Sequence, residues 1–470
     1  MKERFIGRQE ELAALENAYS KEGFRMAVIY GRRRVGKTTL LREFSKEKRA
    51  VYYTAIKTTA SKNTELLGQA VREQLAPELE GTAFQSLESI LDYLDRQSRE
   101  QRLLVIVDEL PYFAKREESL ISNLQKWIDE KWQFGQMFLV LCGSSLSFME
   151  DEVLSEKSPV FGRRTMQLRL TPFDYLQTAM FVPSWSERDK AIAYGITGGI
   201  AKYVSLLDEN QSLDENICSL YFSKSGYLYE EADNLLTQEF RDTDLYGRMI
   251  EAISGGANQI HEIADKTGLP AQNVVHALKN LMETGIILKL HAITEEGNRK
   301  KTRYILSDEM LRFWHRFIPD AVGAIEIGLG RAYYERNVKP MLSDYMGAVF
   351  EKMCRQYTLR AGILGEFACT VTAVGTWWGT NPARREETDI DVVGLDKRRK
   401  TALIGECKFR HEDLDKSVFD ALEERSYLLH DRYTVVQYLL FSASGFSRWI
   451  VENAEEKRMV IIPIQKLYEM

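Results

Sequence analysis

The sequence predicts an α/β protein of several domains, and three observations predict it. Short, wholly apolar runs alternate with amphipathic stretches through the first 180 residues, the pattern of parallel strands covered by helices on both faces. Three helical segments followed by two alternating strands fill about 243–310, the pattern of a winged helix-turn-helix. Apolar strands then return, interleaved with helices, from about 335 onward. At about 150 residues per domain, 470 residues make roughly three domains, enough to bury several cores without disulfides or structural metals.

In order, strands are expected at 26–30, 51–53, 103–107, 137–141 and 166–170, within a first domain over 1–180. Residues 181–242 carry Tyr, Leu and Ala at helix spacing and read as a helical lid. The winged helix spans 243–310, with helices at 248–253, 260–267 and 271–284, a turn at Gly268-Leu269-Pro270, and a polar hairpin tip at 295–298. A helical bridge over 311–334 leads to a second α/β domain over 335–470, with a helix at 346–357 and strands near Val371 and at 390–395, 402–407 and 434–441.

Composition narrows the function. With 63 Lys and Arg against 69 Asp and Glu the net charge is -6, and 44% of residues are hydrophobic. Disorder and a general cationic coating for nucleic acid are excluded, so any phosphate contact has to be made by one module. The apolar runs are far short of the about 20 residues that cross a membrane, and Met1-Lys2-Glu3-Arg4 leads into a polar helix with no signal core. Five scattered cysteines without a C-x-x-C pair read as reduced thiols. The expectation is a cytoplasmic protein with no membrane partner and no zinc.

Gly31-Arg32-Arg33-Arg34-Val35-Gly36-Lys37-Thr38 fits G-x-x-x-x-G-K-[ST], follows an apolar strand and precedes a helix, with Thr39 next in line. In such a P-loop the backbone N–H groups close on phosphate oxygens, the helix N-terminus adds positive potential, Lys37 reaches the outer phosphates and the Thr38 hydroxyl ligates Mg²⁺. The strand at 103–107 ends in Asp108-Glu109, so that Asp108 joins the magnesium shell and Glu109 polarises the attacking water. The strand at 137–141, expected beside it, ends at Gly143-Ser144-Ser145; Ser144 senses the γ-phosphate, positions water or caps the next helix.

Together with Phe5-Ile6-Gly7-Arg8-Gln9-Glu10-Glu11-Leu12 and Phe161-Gly162-Arg163-Arg164, these motifs resemble the archaeal-type ATPases of the AAA+/STAND group over about residues 1–240. The resemblance implies an ATP-binding domain, residues 5–8 near the base, and Arg163 as a γ-phosphate sensor or finger, for which a surface salt bridge is the alternative. Gly198-Gly199-Ile200-Ala201-Lys202-Tyr203 resembles the lid turn of that family, with Ala201 where proline is usual.

In the winged helix, the expected recognition helix offers only His276 and Lys279, whereas the wing carries Arg299, Lys300, Lys301 and Arg303. Duplex binding and intramolecular or protein docking both remain open. In the last domain Glu406-Cys407-Lys408 lies on an apolar strand whose period of two sets Glu406 and Lys408 on one face, and Asp391 lies on the strand before it. Asp391 and Glu406 can hold a divalent metal while Lys408 orients or deprotonates water, and oxygen ligands suit Mg²⁺ or Mn²⁺. With Glu351, Gly375-Thr376-Trp377-Trp378 and Asp389-Ile390-Asp391, this segment resembles the DUF234 domain often joined to such ATPases, itself similar to the PD-(D/E)xK, restriction-endonuclease-like nucleases. That resemblance implies Glu351, Asp391, Glu406 and Lys408 as the metal and catalytic positions, with Asp389 as second choice on the opposite strand face.

The favoured reading is an ATPase whose nucleotide state controls a nucleic-acid-binding winged helix, DNA in the first instance, and a metal-dependent nuclease-like domain. The alternatives are a nucleotide-switched DNA-binding regulator and a STAND-type scaffold that forms a homo-oligomer on binding ATP, both with an inert last domain.

Overall fold

The structure, a computed structural model, describes residues 5–77, 83–117, 119–295 and 302–469. The wing residues Arg299, Lys300 and Lys301 lie outside them. The chain divides into two compact units, one of residues up to Phe173 plus Ile200–Lys202, the other of Asp174–Gly199 and Tyr203 onward.

The first unit is a five-stranded parallel sheet of β1 (Arg25–Tyr30), β2 (Ala50–Thr54), β3 (Leu103–Asp108), β4 (Met137–Gly143) and β5 (Met166–Arg169), in the order β2-β3-β4-β1-β5. The central strands are apolar because both faces are covered: β3 and β4 are buried at every position. β4 pairs with β3, as expected, in the register Leu103↔Met137 to Val107↔Leu141, which carries Asp108 and Gly143 to the same end of the sheet. One face is packed by the helices Ala60–Leu75, Leu87–Glu100 and Leu120–Glu130 through Leu67, Val71, Ile90, Leu94, Leu124 and Ile128.

The second unit opens with the short helix Tyr175–Ala179, followed by helices Glu187–Thr197, Leu213–Tyr221 and Glu231–Glu239. The helices Thr243–Ser254, Ile260–Thr267 and Ala271–Glu283 and the antiparallel pair β6 (Ile287–His291) and β7 (Thr302–Leu306) make the winged helix. A mixed sheet follows, built from β8 (Ala373–Asn381), β9 (Glu386–Asp396), β10 (Thr401–Lys408), β11 (Thr434–Ser442) and β12 (Met459–Pro463) in the order β12-β11-β10-β9-β8. β8, β9 and β10 run antiparallel, whereas β10, β11 and β12 are parallel. Val371, expected in a strand, lies before β8, and β12, not expected at all, is a strand at the sheet edge through its pairing with β11. The helix Leu342–Ile363 extends well beyond 346–357 at both ends.

The helix Glu309–Glu326 carries His315, whose imidazole burial pushes down from 6.5 to about 4, and whose Nε2 is buried without a hydrogen-bond partner. The native state therefore stays neutral at His315 while the unfolded chain takes up a proton below pH 6.5. The stability this neutral side chain contributes is complete above about pH 6.5 and is lost as the pH falls toward 4, by about 3 kcal/mol. Urea denaturation at pH 4.5 and 7 should show the loss, and His315→Leu should remove most of it; an unchanged pH slope in the variant would refute the assignment.

Candidate functional site

The P-loop is shaped by glycines where nothing else fits. At Gly31 a Cβ would stand 2.2 Å from the carbonyl oxygen of Leu170, and Gly36, at φ 93°, caps the helix Lys37–Ser45 in a left-handed conformation that costs glycine nothing. Leu40, Leu41 and Phe44 bury one face of that helix and hold its N-terminus at the sheet end. Lys37 is 5% exposed, and its ammonium donates to the carbonyls of Gly31 and Arg32, both at 2.8 Å. Burial lowers its pKa against the opposing pull of Cys142, Glu109 and Asp108. The loop is thus closed from inside by one lysine at the N-terminus of a helix, a setting suited to phosphate oxygens.

Two further segments brace this loop. Arg8, 4% exposed and at φ 65°, donates to the carbonyls of Val35 and Thr171 and lies 4.4 Å over the Phe173 ring. Ala201, at the position of the missing proline, packs against the open face of Gly36, while the Lys202 N–H donates to the Arg34 carbonyl at 3.0 Å.

Asp108 and Glu109 share the end of β3 but have different surroundings. Asp108, 1% exposed, accepts from the Thr38 and Tyr52 hydroxyls, both at 2.8 Å on Oδ2, and from the Glu109 N–H at 3.0 Å on Oδ1. Glu109 is at φ 52°, a left-handed conformation uncommon for a side-chain-bearing residue, and its Oε2 accepts from the Ser144 hydroxyl at 2.7 Å. Ser144 therefore touches the candidate base, a contact compatible with its expected role in positioning water. An oxygen set of Thr38 and Asp108 beside a P-loop suits Mg²⁺, which keeps several waters and takes one or two protein ligands beside the phosphates.

Arg163 is engaged elsewhere. Its Nε and Nη2 form a two-pronged pair with Asp129 at 2.7 and 2.6 Å, and its Nη1 donates to the carbonyls of Pro159 and Phe161. The hydrogen bonds from Arg163 hold the Asp129 carboxyl below its ordinary range. This geometry is that of the surface salt bridge.

In the second unit β9 and β10 bring Asp391, Glu406 and Lys408 to one region, joined by Glu351 from Leu342–Ile363. Asp391 Oδ2 accepts from the Cys407 N–H at 2.9 Å, and Glu406 pairs with Lys408 at 2.6 Å. Burial, then the charges of Glu406 and Glu351, push the Asp391 carboxyl well above its usual range; burial also raises Glu351, against the pull of Arg355 and with Asp389 and Glu406 adding to it. Asp389 was expected on the opposite face, but two residues along a strand return to the same side, and its charge acts on Glu351. Among the described residues no three His, Cys, Asp or Glu groups gather closely enough to hold a metal ion. The charge of Glu406 acts on Asp391, so the two carboxylates lie close enough to repel each other.

Three participants were invisible in the sequence. Tyr52 reaches Asp108 from β2; Arg425 donates to Glu406 at 2.7 Å and to the Asp389 carbonyl at 2.6 Å; Arg355 donates to Glu351 at 3.3 Å and to the Asp391 carbonyl at 2.8 Å. Tyr52, Arg425 and the Asp391 contact of Arg355 join elements through packing that no local spacing encodes, whereas the Glu351–Arg355 pair has the i,i+4 spacing of a single helix.

The base of the wing packs against the last sheet. The Ile293 N–H donates to the Thr376 carbonyl at 3.0 Å, the Arg303 guanidinium lies 4.8 Å over Trp378, and Arg432 donates to the Thr294 carbonyl and pairs with Glu295 at 3.6 Å. Trp377 and Trp378 are both buried, as expected of core residues. On Ala271–Glu283 the exposed face carries Gln272, Asn273, Val275, His276 and Lys279.

Comparison with known proteins agrees with the two halves. The family of ATPase domains found predominantly in Archaea matches residues 5–207, and the DUF234 family of archaeal and bacterial proteins of unknown function matches residues 314–420. An uncharacterised protein of Methanocaldococcus jannaschii is 30% identical over 429 residues, covering 90% of this chain and 92% of that one. An uncharacterised ATP-binding protein of the same organism is 42% identical over 45 residues, 10% of this chain and 76% of that protein. Among solved structures, the Walker-type ATPase of Pyrococcus abyssi shares the fold, with a TM-score of 0.51 at 18% identity, covering 67% of this chain and 97% of that one. With its P-loop unit and its carboxyl-terminal mixed sheet, the chain belongs to the archaeal-type P-loop ATPases that carry a DUF234 domain.

Proposed function

We propose that the chain hydrolyses ATP, and that its nucleotide state controls a DNA-binding winged helix and a metal-dependent, nuclease-like last domain. The observation that carries the first part is the arrangement at the end of β3: Lys37 in the loop, Thr38 on Asp108, and Glu109 held by Ser144. Mg²⁺, when bound, neutralises charge on the phosphates. Lys37 and the loop N–H groups position the nucleotide, Asp108 and Thr38 hold the metal, and Glu109 takes a proton from the attacking water. Residues 200–202, which pack on the P-loop, give nucleotide state a covalent route into the lid helices.

For the last domain, Asp391 and Glu406 hold the metal and Lys408 orients or deprotonates water at a phosphodiester. Lys408 and Arg425 both occupy Glu406, so metal entry has to displace at least one of them. That pairing favours a second reading, a nucleotide-switched regulator whose last domain binds without cutting.

The test is supercoiled plasmid with purified protein, Mg²⁺ or Mn²⁺, with and without ATP, beside Lys408→Ala. Cutting that needs metal and Lys408 supports the nuclease. Plasmid retarded on a gel but never cut moves the assignment to the regulator, and cutting by Lys408→Ala at the wild-type rate refutes the role of that lysine.

A further inference from the structure

We propose that Tyr52 is a positioning residue for the metal at the nucleotide site, holding the Asp108 carboxylate in its working orientation beside Thr38. The inference rests on the ATP-binding reading of the first unit and assigns a residue outside its motifs.

The argument begins with the hydrogen bonds of Asp108. Its Oδ2 accepts from two hydroxyls, Thr38 and Tyr52, and its Oδ1 from the Glu109 N–H. Thr38 can ligate an ion through a lone pair of its oxygen while its hydrogen stays on Asp108, so the carboxylate can be held from two sides at once. A carboxylate 1% exposed has no bulk water to replace a missing donor, so each hydroxyl that reaches it fixes its orientation. Tyr52 is the side-chain donor that comes from outside the P-loop. Its phenol is half-buried and stands 2.8 Å from Oδ2.

The backbone of Tyr52 is held as firmly as its side chain. β2 is an edge strand, paired with β3 alone, and an edge strand leaves outward N–H and C=O groups unmade. At Tyr52 the Gln74 side chain, on the helix Ala60–Leu75, fills both: its Oε1 accepts the Tyr52 N–H at 2.9 Å and its Nε2 donates to the Tyr52 carbonyl at 3.1 Å. The side-chain amide stands in for a neighbouring strand at this one residue. Tyr53 next along points the other way, its hydroxyl donating to buried Asn63 at 2.7 Å, and is the natural control.

The experiment is a Mg²⁺ titration of fluorescent N-methylanthraniloyl-ATP binding, read without turnover, for the wild type, Tyr52→Phe and Tyr53→Phe, with thermal melts of each. Tyr52→Phe is expected to bind the nucleotide in EDTA as the wild type does and to need about tenfold more Mg²⁺ for the metal-dependent change, the usual cost of losing a group that orients a ligand. Tyr53→Phe is expected to lose melting temperature with no Mg²⁺ shift. An unshifted midpoint in Tyr52→Phe, or an equal shift in both variants, overturns the proposal whether or not the wild type hydrolyses ATP. Loss of nucleotide binding by the wild type would instead refute the ATP-binding reading itself.

Discussion

Glu109→Gln is expected to bind ATP as the wild type does and to turn it over about 10²–10⁴-fold more slowly, the usual contribution of a positioned general base. The amide keeps the shape and the hydrogen-bonding reach of the carboxylate but cannot accept a proton at neutral pH. The left-handed backbone at Glu109 and the Ser144 hydroxyl aim the side chain, and neither depends on its charge. Lys37→Ala is expected to fail at the earlier step, because it removes the cation that reaches the outer phosphates and leaves the Gly31 and Arg32 carbonyls without their donor. Equilibrium binding of the fluorescent nucleotide beside phosphate release separates the two. Wild-type turnover by Glu109→Gln would remove Glu109 from the mechanism, and undiminished binding by Lys37→Ala would remove the P-loop reading.

The distinction between what was legible in the sequence and what was not follows from distance along the chain. Residues 103–107 and 137–141 announce themselves as strands because burial on both faces demands an unbroken apolar run, and the P-loop because its geometry admits so few residue types. The adjacency of β3 and β4 follows from the same topology. Tyr52 gave no signal: a tyrosine in a β-strand is ordinary, and its hydroxyl matters only because the β2 and β3 register sets Tyr52↔Ile106 two places from Asp108. Arg425 was equally silent, since it reaches Glu406 from another element. Arg163 shows the converse, a residue whose motif invites a phosphate role while the fold supplies Asp129 as its partner. The wing offered two readings from charge alone, and the contacts of Ile293, Arg303 and Arg432 support intramolecular docking of its base.

Arg312→Met is expected to cost the second unit about 3 kcal/mol, the scale of a buried ion pair broken on one side. Glu309 is 3% exposed, and its carboxylate is held by Arg312 at 2.9 Å and by the half-buried Lys352 at 3.4 Å. Arg312 also donates to the Tyr345 carbonyl at 2.6 Å, and the Tyr345 hydroxyl donates in turn to the carbonyls of Gly195 and Glu309. Three helices, Glu187–Thr197, Glu309–Glu326 and Leu342–Ile363, thus share one polar centre. Burial works to lower the Lys352 pKa, but Tyr194 and Glu309 outweigh it and raise it, so the ammonium stays charged. Removing Arg312 leaves Glu309 with its more distant cation only. If the loss is mainly that stranded carboxylate, adding Glu309→Gln to Arg312→Met should restore stability, because the two changes are coupled through one contact. Urea midpoints for the wild type, both single variants and the double variant measure that coupling. Strictly additive losses would mean that Arg312 contributes through packing and the Tyr345 bond, and that the ion pair adds little to the joint between these helices.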